Sequence, residues 1–118
     1  MTRVARVYDA PAPGDGTRVL VDRLWPRGVR KDDPRIDRWW QELAPSTELR
    51  TWFGHRADRF EEFTVRYEEE LGAESLRDLL AEARKIDRGD GLTLLTATKD
   101  PTVSHVTVLA DVIDRRHR

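Results

Sequence analysis

Two short polar clusters hold the side chains best suited to chemistry. The first is Asp22-Arg23-Leu24-Trp25-Pro26-Arg27-Gly28. The second is Thr98-Lys99-Asp100, with Ser104 and His105 shortly after it. Each cluster follows a run rich in apolar residues, Val19-Leu20-Val21 in one case and Leu92 to Ala97 in the other. Such runs are what a strand buried on both faces leaves in a sequence. In open parallel α/β sheets, ligands bind beyond the carboxyl ends of the strands. Two parallel neighbouring strands would therefore bring both clusters to one cleft.

The residue types point to an anion. Arg23, Arg27 and Lys99 would hold a phosphate, sulfate or carboxylate. A helix starting just after Asp100-Pro101 would add unpaired backbone N–H groups and partial positive charge. Asp22 would orient an arginine or act as a base, and His105 would donate a hydrogen bond or move a proton. Asp22 and His105 are thus the candidate catalytic pair. Arg23, Trp25, Arg27, Lys99, Asp100 and Ser104 are the candidate ligand-binding residues. No glycine-rich phosphate loop accompanies them, no motif calls for a cofactor, and His55, His105 and His117 are too scattered for a metal site.

Each residue also has a plainer reading. Asp22 could cap a turn or pair with Arg23 or Arg27, and Trp25-Pro26 could plug the core. Lys99 could be solvated, Asp100 a helix cap, and His105 a hydrogen-bonded interior residue. The tryptophans Trp25, Trp39, Trp40 and Trp52 read mainly as packing. Two other functions remain open. One is a nucleic-acid accessory module, with Trp25 stacking a base and Arg23, Arg27, Arg30 and Lys31 following the backbone. The other is a protein-interaction domain using Trp39, Trp40 or Trp52.

The rest of the chain must position the two clusters. Its 118 residues suit one domain spanning 1–118. Charged residues make up 36%, yet the net charge is only -1, which gives no long-range pull toward nucleic acid or an acidic membrane. With no cysteine, disulfides and thiolate chemistry are excluded. No stretch approaches the roughly 20 apolar residues that cross a bilayer. No pattern sets an oligomeric state.

Arg3 to Tyr8 alternates imperfectly but reads as a first strand. Asp9 to Gly16 is a loop, and Arg18 to Asp22 a buried strand. Ile36 to Leu43 fits a strand or a helix. Ser46 and Gly54 bracket a short helix. Asp58 with Glu61 resembles a capping box before Phe60, Phe63, Tyr67 and Leu71. Ser75 would cap a helix with Leu76, Leu79, Leu80 and Ala83 inward, and a final helix buries Val106, Leu109, Ala110 and Ile113. Strand, helices, strand, helix predicts an α/β fold: a compact three-layer α/β/α domain with a small, mostly parallel sheet.

Three blocks carry a family resemblance: Val19 to Gly28 (VLVDRLWPRG), Ala44 to His55 (APSTELRTWF, then His55 after Gly54), and Leu92 to Asp111 with LTLLTATKD, His105 and LAD. Their order and spacing resemble the YeaO-like family, a bacterial branch of a larger group of domains of unknown function. The resemblance runs nearly end to end. It implies a three-layer α/β fold, a cytoplasmic protein, a strand at Ile36 to Leu43, and no established activity. In the larger group the last block typically reads Lys-Asp-Pro and then Cys-His-Arg. Here Lys99-Asp100-Pro101 and His105 match, while Ser104 replaces the cysteine and Val106 the arginine. Thiol chemistry therefore does not carry over.

Overall fold

The computed structural model of the chain describes residues 1–115. Four parallel strands form its centre: β1 (Arg3–Arg6), β2 (Thr17–Leu20), β3 (Arg38–Trp39) and β4 (Leu92–Thr96), in spatial order β1-β4-β2-β3. The two apolar runs are the inner pair. Leu20 of β2 lies opposite Leu95 of β4, so both strands end at the same level.

Burial on both faces explains the run pattern. Val19, Val21, Leu92 and Leu94 face one core, and Leu20, Leu95 and Val7 the other. In β1, Val4 packs on the first core and Ala5 on the second, which accounts for its irregular alternation. The first core carries all four helices: α1 (Thr47–Phe53), α2 (Phe60–Leu71), α3 (Arg77–Arg88) and α4 (His105–Asp114). On the opposite face Trp25, Ile36 and Trp39 cover the sheet. The α/β class and parallel sheet are as expected; the layer on this second face is loop, not helix.

Ile36 to Leu43 divides. Asp37 and Trp40 donate backbone N–H groups to Arg18 and Leu20 at 2.8 Å each, bracketing the short β3, and a 3-10 turn then spans Gln41–Leu43. Two expected caps do not form. Asp58 pairs with Arg56 at 2.9 Å, and neither α2 nor α3 has a side-chain cap. Both helices are entered through 3-10 turns, Ala57–Arg59 and Glu74–Leu76, whose tight bonds use the first donors.

Ser46 does cap α1: its Oγ accepts from Leu49 N at 3.1 Å and donates to Glu70 Oε2 at 2.6 Å. That pair of bonds ties the start of α1 to α2. No helix among the described residues is long and apolar enough to cross a membrane.

Candidate functional site

Because β2 and β4 are parallel and in register, Asp22 emerges beside Thr96 and Ala97. Its Oδ1 accepts from the Thr96 hydroxyl and its Oδ2 from Ala97 N–H, both at 2.8 Å. Ser104 starts α4 by accepting from Val106 N, and the next residue, His105, turns back toward β2. His105 Nε2 lies 2.9 Å from the Val21 carbonyl oxygen and 3.2 Å from Asp22 Oδ1. Both neighbours are acceptors, so Nε2 carries the proton. Nδ1 has no protein partner among the described residues and remains available to the cleft.

Burial disfavours the Asp22 carboxylate, but the hydrogen bond and charge of His105 offset it. With the Ala97 N–H and Thr96 hydroxyl added, its pKa is held below the ordinary 3.8. Asp22 is thus an ionised, fully engaged group that orients His105. Under the imidazole, Tyr67 stands edge-on at 6.2 Å between ring centroids. Its hydroxyl donates to the Leu43 carbonyl, and burial, Glu70 and Asp22 push its pKa up.

Around this dyad opens a cleft of about 750 Å³. Of the expected residues, Asp22, Arg23, Trp25, Lys99, Asp100, Ser104 and His105 line it. Arg27 does not; its exposed side chain lies outside, and its carbonyl oxygen receives the Tyr8 hydroxyl at 3.4 Å.

Several lining residues have structural roles. Arg23 reaches across to the carbonyls of Pro45 (3.1 Å) and Ala44 (3.2 Å). Trp25 donates to the Val29 carbonyl at 2.6 Å and meets Trp39 edge-to-face at 5.3 Å. Asp100 caps the 3-10 turn Pro101–Val103 by accepting from Thr102 N at 3.1 Å. Ser104 Oγ donates to the Pro101 carbonyl at 2.8 Å and is buried. No hydrogen bond joins Ser104 to His105, so the adjacent hydroxyl and imidazole form no nucleophile–base couple. At the start of α4, where an anion was expected, the Val106 N–H is met by Ser104 Oγ.

Lys99 is different. It is exposed, lines the cleft and has no side-chain partner among the described residues. The structure adds a second such cation, Arg50, from α1. Arg50 and Phe53 stand one turn apart on the same helix face, and both line the cleft. His55 also lines it, after two successive left-handed residues, Gly54 (φ 54°) and His55 (φ 59°). Both Arg50 and His55 stand in the second family block, but nothing in that block marked either as a cleft residue, because their place depends on how α1 docks.

The basic run Arg23 to Lys31 is largely engaged. Arg30 pairs with Asp32 at 3.1 Å, and Lys31 Nζ sits 5.0 Å from the ring centres of both Trp25 and Trp39. None of the four tryptophans is exposed; Trp52 is half-buried beneath Arg59 and Arg66. His117 lies outside the described residues, among which no acidic, histidine or cysteine cluster could hold a metal.

The comparisons agree with the sequence blocks. The family described as the inactive DUF488-N3 subclade matches residues 1–118. The uncharacterized proteins Rv3073c of Mycobacterium tuberculosis and Mb3100c of Mycobacterium bovis are each 49% identical over 114 residues, covering 97% of this chain and 94% of theirs. The uncharacterized protein YeaO of Escherichia coli is 44% identical over 107 residues, covering 90% of each chain. No solved structure matches.

Proposed function

The chain belongs to the inactive DUF488-N3 subclade, and we propose that it binds a small anionic ligand in the cleft beyond β2 and β4 without turning it over. One observation carries this reading: Arg50 and Lys99, two cations with no side-chain partner among the described residues, line a single cavity with the Asp22–His105 dyad. Its volume of about 750 Å³ falls within the roughly 300–1,000 Å³ of small-molecule sites. Arg50 and Lys99 supply the charge, Asp22 fixes the imidazole, and His105 Nδ1 can accept a hydrogen bond from a donor group on the ligand. Membership of an inactive subclade and Ser104 in place of cysteine both favour binding over catalysis.

Thermal-shift measurements with phosphate, sulfate, nucleotides, sugar phosphates and organic carboxylates test it. At least one anion raises the melting temperature of the wild-type chain, and Lys99→Ala or Arg50→Ala reduces the shift. If no anion stabilises the protein, the reading is wrong.

A further inference from the structure

We infer that the occupant is an organic monocarboxylate on an apolar body, rather than a free phosphate. This rests on the anion-binding reading and narrows it to a ligand class.

Size is the first argument. A phosphate fills only a few water volumes of about 30 Å³ each, whereas the cleft measures about 750 Å³. The remaining space is bounded largely by apolar side chains: Leu24, Pro26, Pro45, Phe53 and Val103. Leu24 is 66% exposed there. A single exposed leucine is ordinary. Set into the wall of a cavity, it becomes surface that an apolar body can cover and an inorganic ion leaves wet.

The donor inventory is the second. Phosphate sites usually present several free backbone N–H groups. Here Asp100 Oδ1 takes the Thr102 N–H and Ser104 Oγ takes the Val106 N–H, at the two turn starts facing the cleft. The Asp100 carboxylate also opposes a multiply charged anion. Among the side chains that line the cleft, the cations without a partner are one guanidinium on α1 and one ammonium on the strand-end loop, single charged donors that suit a carboxylate. His105 Nδ1, an acceptor while the ring is neutral, can take an N–H or O–H from the body.

Indole-3-carboxylate has all three features and serves as the probe. Isothermal calorimetry near neutral pH compares it with neutral indole and with inorganic phosphate. The inference expects indole-3-carboxylate to bind at least tenfold more tightly than either. Arg50→Ala and Lys99→Ala, both at exposed positions, should each weaken it by roughly two- to tenfold. Leu24→Ser should weaken indole-3-carboxylate and leave any phosphate binding unchanged. Phosphate binding as tightly as the probe, and sensitive to Lys99→Ala, overturns the ligand class while the anion reading survives. Indole matching indole-3-carboxylate overturns the anion reading too, whereas no binding by any of the three overturns the ligand class alone.

Discussion

The Asp22 carboxylate and the His105 imidazole meet at 3.2 Å, Oδ1 to Nε2, and so join the end of β2 to the start of α4. The contact does two things: it holds Asp22 ionised, and it leaves Nδ1 of His105 for the cleft.

Asp22 gives the fold a defined acid dependence. Its pKa is depressed in the folded state, so its contribution to stability is complete above the ordinary 3.8 and is lost as pH falls through the lower folded value. Asp22→Asn should cost about 1–3 kcal/mol at neutral pH, because buried donors lose a charged acceptor. The difference from wild type should shrink as pH drops below 3.8. Urea denaturation across that range reads it; a constant difference would contradict the assignment.

His105 should be the Nε2–H tautomer when neutral, since Nε2 faces only acceptors, the Val21 carbonyl and Asp22. Long-range 1H–15N correlation spectra distinguish the two tautomers. An Nδ1–H form would remove the acceptor assigned to the ligand.

Two glycines with positive φ should respond very differently to alanine. A Cβ at Gly16 (φ +64°) would stand 2.2 Å from the Gly91 carbonyl oxygen, where the loops entering β2 and β4 touch. At Gly28 (φ +77°) it would meet nothing within 4 Å. Gly16→Ala should therefore lose more than about 3 kcal/mol or fail to fold, while Gly28→Ala loses about 1–2 kcal/mol from backbone strain alone. Chemical denaturation of both variants checks this, and equal losses would be inconsistent with the close approach.

Arg18 should be among the most sensitive charged positions. It is 3% exposed and bonds the Arg35 carbonyl (2.7 Å), the Asp9 carbonyl (2.8 Å) and Asp15 Oδ2 (2.5 Å). Arg18→Met should cost about 1–3 kcal/mol, because the Arg35 and Asp9 carbonyls lose their donor while Asp15 keeps the Ala12 N–H (3.0 Å) and Arg3 (3.3 Å). In an Asp15→Asn background the same substitution should cost less. Additive losses in the double variant would show the pair to be uncoupled.

The elements most legible in the sequence were those with local causes. Phe63, Tyr67 and Leu71 repeat at helical spacing and form the inner face of α2. Ser46 and Gly54 close α1 at both ends. The two apolar runs became the inner strands because burial on both faces suppresses alternation. Where 3-10 turns replaced side-chain caps at Asp58 and Ser75, the deciding bonds were backbone bonds with no residue signature.

The sequence by itself determined the class of fold, the central strands and the place where they end, since these follow from periodicity and turn chemistry within short stretches. It also placed Asp22, Lys99 and His105 near one another through a single inference of parallel strands. Only the tertiary structure decided which charges are free. Arg23 is drawn to two carbonyls of the loop before α1, and Lys31 lies over two tryptophan rings. Arg27 stays outside, and Arg50 enters on a helix that docks from elsewhere in the chain. A side chain's type fixes what it can bind; its available partners depend on contacts between distant segments, which no local pattern encodes.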